Sequence, residues 1–143
     1  MASSTARSTA KPFLMFQNGQ ASSAISFYIS TIPHSHIISL DHYVSGEAGA
    51  EGTVKMAKVS IAGLEVMIID SAVKHDFDFT PSMSFFVDFK DEEEVEKVYN
   101  SLLEGQGDGG KGKVMMPLDG YWFSRKFAWV QDRWGVSWQL NLE

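Results

Sequence analysis

Histidines are the residues of this chain best suited to catalysis or metal binding, and the chain has four of them. His34 and His36 are separated by one residue, so on a strand they would share a face, and His42 follows six positions after His36. One interpretation is a metal chelate formed by these three imidazoles, and the other is a set of solvent-exposed histidines at the entrance of a strand. His75 lies in an acidic, aromatic loop at 71–81, where it is either a solvated loop residue or a general base.

The segment 127–142 combines aromatic side chains with a polar row. Asp132 to Gly135 has the composition of a tight turn, because aspartate bonds its own backbone and glycine adopts positive φ. After the turn, apolar residues alternate with Ser137, Gln139 and Asn141, which places the polar set on one face of a terminal strand. A polar row on a strand that otherwise reads as buried indicates that the strand lines a cavity.

Aromatic residues in the second half of the chain could supply the walls of such a cavity. Trp122 and Trp129 precede the terminal strand, and alternation places Phe127 on the same face as Trp129. Ser82 and Ser84 add a few polar groups. Aromatic walls with few polar groups are typical of a site for an organic ligand, although the same tryptophans would otherwise belong to a core or a dimer contact.

The elements that must position these residues follow the same pattern twice. Hydrophobic periodicity predicts a strand, a helix and three more strands in each half of the chain. Tyr28 and Tyr99 are 71 positions apart, and Gly63 and Gly135 are 72 apart, so the halves keep a nearly constant offset. We therefore predict an α+β fold of two βαβββ modules whose curved mixed sheets form a cleft. The predicted strands are 12–16, 36–44, 53–62, 64–70, 82–90, 113–116, 125–131 and 136–142, and the predicted helices are 20–32 and 91–104.

The length of the chain suits one domain at 11–143, with module one at about 11–70 and module two at about 82–143. Residues 1–10 are rich in Ser, Thr and Ala and are expected to form a disordered tail, with a short targeting segment as the alternative. The glycine-rich segment 105–112 is expected to be a flexible connector.

Composition excludes several classes of protein. The formal net charge is −6 and apolar residues make up 44% of the chain, which argues against a nucleic-acid binder and against a disordered chain. The chain has no cysteine, which excludes disulfides and thiol catalysis and gives no sign of secretion. No apolar run approaches the roughly 20 residues that span a bilayer. We therefore expect a cytoplasmic protein with neither a nucleic-acid nor a membrane partner.

Three segments resemble the PhnB-like branch of the vicinal oxygen chelate superfamily, which includes glyoxalases, bleomycin-resistance proteins and extradiol dioxygenases. They are Phe13–Asn18, Ala24–Tyr28 and Phe127–Asp132, within a similarity that covers residues 11–142. The resemblance implies a glyoxalase/bleomycin-resistance-like fold. Many PhnB-like sequences carry the label 3-demethylubiquinone 3-methyltransferase. The common methyltransferase cofactor turn follows a first parallel strand, whereas the glycine-rich segment of this chain follows a predicted helix.

The resemblance also implies where a divalent metal would bind. The ligand positions of the superfamily, on the first and fourth strands of each module, fall on Phe13, Met67, Ser82 and Gln139. None of these four side chains is a strong ligand for a hard or borderline divalent ion. We therefore expect no metal and no cofactor.

The leading prediction is a protein that binds a small, largely apolar organic ligand in the cleft without a metal. One alternative is an enzyme of the superfamily, a lyase, dioxygenase or methyltransferase, that uses displaced ligands or His75. Another is an interaction module, and exposed sheet edges also predict a homodimer. The predicted ligand-binding residues are Phe13, Met67, Ser82, Ser84, Trp122, Trp129 and Gln139.

Overall fold

The structure is a computed structural model that describes residues 8–104 and 110–143. Two compact units make up the chain, Met1–His75 and Asp76–Glu143. Their boundary lies within the segment 71–81, which the sequence assigns to the connection between the modules. Among the described residues, each unit contains one four-stranded sheet and one helix.

The first unit has the element order βαβββ. It contains β1 (Phe13–Phe16), α1 (Ala21–Thr31), β2 (His36–His42), β3 (Val54–Ile61) and β4 (Leu64–Asp70). The strand order is β1-β4-β3-β2, in which β1 runs parallel to β4 and the other pairs are antiparallel. Buried residues alternate along β3 and β4, so one face of the sheet packs against α1. The buried stripe of α1 consists of Ala21, Ala24, Ile25 and Tyr28.

Asp70 joins three elements of the first unit. Its side chain is almost completely buried, Oδ1 accepts a hydrogen bond from the backbone N–H of Ala21 at 2.9 Å, and Oδ2 accepts one from Val54 at 2.8 Å. Asp70 is the last residue of β4. Its carboxylate satisfies the first backbone N–H of α1 and the first backbone N–H of β3. Both oxygens of this carboxylate therefore have a structural role.

The second unit repeats the order βαβββ. It contains β5 (Ser84–Phe89), α2 (Glu92–Leu103), β6 (Lys113–Tyr121), β7 (Ser124–Gln131) and β8 (Ser137–Leu142). The strand order is β5-β8-β7-β6, again with one parallel pair, between β5 and β8. Two βαβββ modules with mixed four-stranded sheets confirm the predicted fold class.

The helix α2 covers one face of the second sheet only. Asp91 is its N-cap, as predicted, and accepts a hydrogen bond from the backbone N–H of Glu94 at 3.1 Å. Lys126 of β7 reaches two carboxylates of the helix, Glu92 at 2.8 Å and Glu96 at 2.5 Å. The other face of the sheet, here called the helix-free face, carries the side chains that point away from α2.

The predicted element limits were wrong in two places that bear on the site. β5 begins at Ser84, because Ser82 belongs to the preceding turn, where its Oγ lies 2.8 Å from Oγ1 of Thr80. β6 extends to Tyr121 although it contains Pro117. β6 is an edge strand, so on one side its backbone N–H groups have no neighbouring strand to bond and a proline is tolerated there. Register shifts between β6 and β7 accommodate the irregular backbone.

Two predicted segments fall partly outside the described residues. Of the predicted tail at 1–10, only residues 8–10 are described, and they lie outside any helix or strand. Of the predicted connector at 105–112, residues 105–109 lie outside the described chain. Within the described part of the chain, no helix is long and apolar enough to cross a bilayer.

Candidate ligand-binding site

The turn between β7 and β8 sets the register of the site. Asp132 is fully buried, and its Oδ1 accepts hydrogen bonds from the backbone N–H groups of Trp134 and Val136, both at 3.0 Å. Its Oδ2 accepts a hydrogen bond from the indole Nε1 of Trp138 at 2.9 Å. Gly135 completes the turn with a φ of 97°, which favours glycine. The predicted turn is confirmed, and the buried carboxylate determines which residues of β7 and β8 face each other.

That register places one row of side chains across the helix-free face. Trp129 of β7 is the direct partner of Gln139 of β8, and Gln139 is the direct partner of Phe86 of β5. On the far side of Trp129, the row ends at Met116 of β6. Adjacent strands lie about 4.8 Å apart, so Phe86 and Trp129 stand about 10 Å apart with Gln139 between them.

Trp129 is held in place by a hydroxyl group. Its indole Nε1 donates a hydrogen bond to Oγ of Ser137 at 2.8 Å, and the Oγ atoms of Ser137 and Ser84 lie 2.6 Å apart. Ser137 is 1% exposed, whereas Ser84 and Trp129 are half-buried. The indole ring therefore leans along the sheet toward Ser137 and away from the position above Gln139.

Phe86 leans in the opposite direction. Its ring centroid lies 6.2 Å from that of Phe127, which is buried beneath the neighbouring rings of Tyr121 and Phe123. Phe86 itself is 57% exposed. These contacts form an aromatic cluster on one side of Gln139, opposite the Trp129 indole.

The amide of Gln139 is left between these two walls. Within the described residues it makes no side-chain hydrogen bond, and the residue is half-buried. An amide carries two donor hydrogens and an acceptor oxygen, so it can fix the orientation of a ligand that lies between Phe86 and Trp129. Of the predicted polar row, Gln139 is half-buried on the helix-free face, while Ser137 is buried and bonded to Trp129.

The first sheet repeats this row with different chemistry. Phe13 of β1 is the direct partner of Met67 of β4, which in turn faces Lys58 of β3. Phe13 is 52% exposed and Met67 is half-buried. The strand orders of the two sheets match, so Phe13 and Met67 correspond to Phe86 and Gln139. Structure therefore places these two predicted residues on a helix-free face of their own unit.

Two predicted site residues lie elsewhere. Ser82 is exposed in the turn before β5, so the position on the first strand of module two that was assigned to Ser82 belongs to Phe86. Trp122 occupies the tip of the hairpin between β6 and β7 and is 96% exposed, so it forms no wall beside Gln139. Ser82 was assigned by counting along the chain and Trp122 by its aromatic character, and neither reveals where a strand begins or a hairpin ends.

Three contributors to the site are not among the predicted ligand-binding residues, although alternation placed Ser137 and Phe127 on the correct face of the sheet. Phe86 is the direct neighbour of Gln139, Ser137 fixes the Trp129 indole, and Phe127 anchors the Phe86 ring. A signal for Phe86 existed, since it follows Phe13 by 73 positions, close to the offset of 72 between Met67 and Gln139. The role of Ser137 depends on a side-chain hydrogen bond across strands and has no signal in the sequence.

The histidines do not assemble into a metal site. Within residues 8–104 and 110–143, no group of three or more His, Cys, Asp or Glu side chains is placed to hold a metal ion. His34, His36 and His42 are all exposed, so the chelate considered from their spacing is not formed. His75 is half-buried, and its backbone N–H donates to Oε1 of Gln17 at 2.7 Å.

A separate concave region lies in the first unit, with a volume of about 370 Å³. It is bounded by the ends of β1 and β4 and by the loop 43–53, and Gln17, Thr53 and Lys74 are among its lining residues. The ion pair between Glu47 and Lys55 braces this loop, and the hydrogen bond from Lys55 lowers the pKa of the Glu47 carboxyl. None of the seven predicted ligand-binding residues lines this cavity.

The two βαβββ modules have the glyoxalase-like fold of the vicinal oxygen chelate superfamily, and the chain is a PhnB-like member of it. The family model for 3-demethylubiquinone-9 3-methyltransferase matches residues 8–141, and the chain belongs to this family.

Similar proteins support this assignment over nearly the whole chain. The structure of a PhnB protein from Bacillus cereus is 43% identical, covers 95% of this chain and 100% of its own, and superposes with a TM-score of 0.86. Protein YjdN from Escherichia coli is 24% identical over 92% of each chain. The fosfomycin resistance protein FosX from Listeria monocytogenes is 13% identical, with 97% of this chain and 95% of its own covered, and its TM-score of 0.59 shows a likeness of fold.

Proposed function

We propose that this protein binds a small, largely apolar organic molecule on the helix-free face of the second sheet, without a metal ion. The observation that carries the proposal is the Gln139 amide between the rings of Phe86 and Trp129, which has no hydrogen-bond partner among residues 8–104 and 110–143. Aromatic walls with one orienting polar group are the usual composition of sites for organic ligands. The residues implied by the family resemblance as metal-ligand positions, Phe13, Met67, Ser82 and Gln139, carry no anionic or imidazole side chain.

Binding can be tested by native mass spectrometry. Protein treated with a chelator is incubated with a small-molecule extract of cells, desalted and measured intact. We expect a retained mass above that of the protein, and we expect the Trp129→Ala variant to lose it. Trp122→Ala is the matched control, because it removes the same side chain from the exposed hairpin tip. Loss of the retained mass on chelation would contradict metal-independent binding.

A second candidate is catalysis, favoured by the description of the family as methyltransferases. In that case His75 would be the general base that removes the proton of a phenolic acceptor. Transfer of a labelled methyl group from S-adenosylmethionine to a catechol probe tests this possibility. Transfer that survives in the chelated wild-type protein and is lost in His75→Gln would support an enzyme over a binding protein.

A further inference from the structure

We infer that Ser84 is the second polar contact of the ligand site and that it acts as a hydrogen-bond donor. The inference deepens the proposed function and rests on it. It identifies the ligand class as an uncharged aromatic compound with a hydrogen-bond acceptor at one end and a second polar group at the other. It also assigns Ser137 as a positioning residue that acts through Ser84 and Trp129.

The direction of the hydrogen bond between the two serines follows from their burial. Ser137 is 1% exposed, and its Oγ already accepts the indole N–H of Trp129. The Oγ of Ser84 is the other hydrogen-bond partner of Ser137 among the described residues. If Ser84 donated to Ser137, the hydroxyl hydrogen of Ser137 would be buried without an acceptor, which costs about 1–3 kcal/mol. Ser137 therefore donates, and Ser84 accepts.

Ser84 is consequently left with its own hydroxyl hydrogen. Its side chain is half-buried on the helix-free face and makes no further hydrogen bond within the described residues. The free O–H is thus available to a molecule above the sheet. Because its oxygen already accepts from Ser137, the hydroxyl is also polarised, and donation from it is strengthened.

The spacing of Ser84 and Gln139 sets the size of the ligand. Ser84 pairs with Ser137 and Phe86 pairs with Gln139, so Ser84 and Gln139 are diagonal neighbours on adjacent strands. Diagonal neighbours in a sheet are about 7–8 Å apart. Polar substituents at opposite ends of a fused two-ring aromatic system span a similar distance, and such a ring system would lie beside the Trp129 indole.

The charged side chains around Gln139 disfavour an anionic ligand. The positions that flank Gln139 in register and on the diagonals carry no cationic side chain, and one of them is Asp88. Asp88 is exposed and accepts a hydrogen bond from Nδ2 of Asn141 at 2.8 Å. A ligand carboxylate would lose hydration without a counter-ion and would be repelled by Asp88.

The test uses three matched probes in an NMR titration of nitrogen-labelled protein. 6-Methoxy-2-naphthol has a polar group at both ends, 2-methoxynaphthalene lacks one of them, and 6-methoxy-2-naphthoate is an anion. We expect the first probe to shift the indole N–H signal of Trp129 and the amide signal of Gln139. We expect it to bind at least fivefold more tightly than the second probe, with no measurable binding of the third.

Three variants separate the Ser84 contact from general effects on the sheet. Ser84→Ala should weaken binding of 6-methoxy-2-naphthol by about fivefold, the scale of one hydrogen bond. Ser82→Ala, in the adjacent turn, should change it less than twofold. Ser137→Ala should increase hydrogen exchange of the Trp129 indole N–H even without a probe, a readout that a purely structural serine elsewhere would not change.

The outcomes distinguish the two proposals. Equal binding of the three probes, or an unchanged affinity in Ser84→Ala, would overturn the inference and leave the proposed site intact. Failure of every probe to perturb Trp129 and Gln139 would overturn the inference together with the proposed function.

Discussion

The indole of Trp138 and the carboxylate of Asp132 form a hydrogen bond of 2.9 Å in which both side chains are fully buried. The same carboxylate also accepts the backbone N–H groups of Trp134 and Val136 across the turn. The Asp132 carboxylate therefore accepts hydrogen bonds from two backbone N–H groups of the turn. It also orients the buried indole of Trp138 on the strand that follows. Through this register, Gln139 on the same strand comes to face Trp129.

Removing this carboxylate should destabilise the whole second unit. Asp132→Ala removes the buried carboxylate that accepts hydrogen bonds from the indole of Trp138 and the amides of Trp134 and Val136, so we expect a loss of about 3 kcal/mol or more in the free energy of unfolding. Urea denaturation followed by tryptophan fluorescence measures it. Asp76→Ala, at an exposed aspartate, is the control and should change stability by less than about 0.5 kcal/mol.

Restoring an anionic side chain at Gln139 should not create a metal site. In Gln139→Glu the new carboxylate would lie between Phe86 and Trp129, with no second anionic or imidazole ligand in its row. We expect stability to fall by about 1 kcal/mol, because a half-buried carboxylate replaces a neutral amide. Thermal unfolding with and without nickel or zinc checks this. A melting temperature that rises with metal in the variant and not in the wild type would show that other ligands are present.

The ion pair beside the cavity of the first unit should titrate at acid pH. The hydrogen bond from Lys55 holds the folded-state pKa of Glu47 below its ordinary value of 4.5. The stabilisation is therefore present above pH 4.5 and is lost as the pH falls through the lower, folded-state pKa. NMR titration of the Glu47 carboxyl carbon measures that pKa directly. In Lys55→Met the pKa should rise toward the ordinary value, and an unchanged pKa would contradict the assignment of its cause.

We also propose that the protein is a homodimer that pairs through β2. This strand is an edge of the first sheet, and Ile37 and Ile38 are 42% and 47% exposed on it. Exposed apolar edge strands favour pairing with another chain. Light scattering at micromolar concentration should give the mass of a dimer, and Ile38→Lys should shift it toward a monomer. Val114→Lys, on the edge strand β6, is the control. A monomeric wild-type protein would rule out the proposal.

Local periodicity was enough to predict most of the fold and part of the site. Alternation after Gly135 correctly separates the buried Trp138 from the half-buried Gln139, because strand geometry has a period of two that depends only on neighbouring residues. The nearly constant offset between equivalent residues of the two halves likewise predicts that both modules have the same element order. The alternation depends only on neighbouring residues and the repeat is visible along the chain, so both can be predicted from a single sequence.

Cross-strand register and side-chain direction could not be predicted in the same way. Counting assigned the fifth-strand position to Ser82, whereas the pairing of β5 with β8 assigns it to Phe86. Trp122 has the composition of a pocket wall and lies at an exposed hairpin tip. Ser137 belongs to the polar row but is buried by a bond to Trp129. Each of these depends on contacts between residues distant along the chain.

The affinity of 6-methoxy-2-naphthol for chelator-treated wild-type, Trp129→Ala and Trp122→Ala proteins tests the central claim most directly. If the ligand lies on the helix-free face between Phe86 and Trp129, Trp129→Ala should weaken binding about 30-fold or more, equivalent to about 2 kcal/mol. Trp122→Ala should change it less than twofold. Unchanged affinity in a folded Trp129→Ala protein, or binding by the wild type that disappears when divalent metal is removed, would contradict the claim.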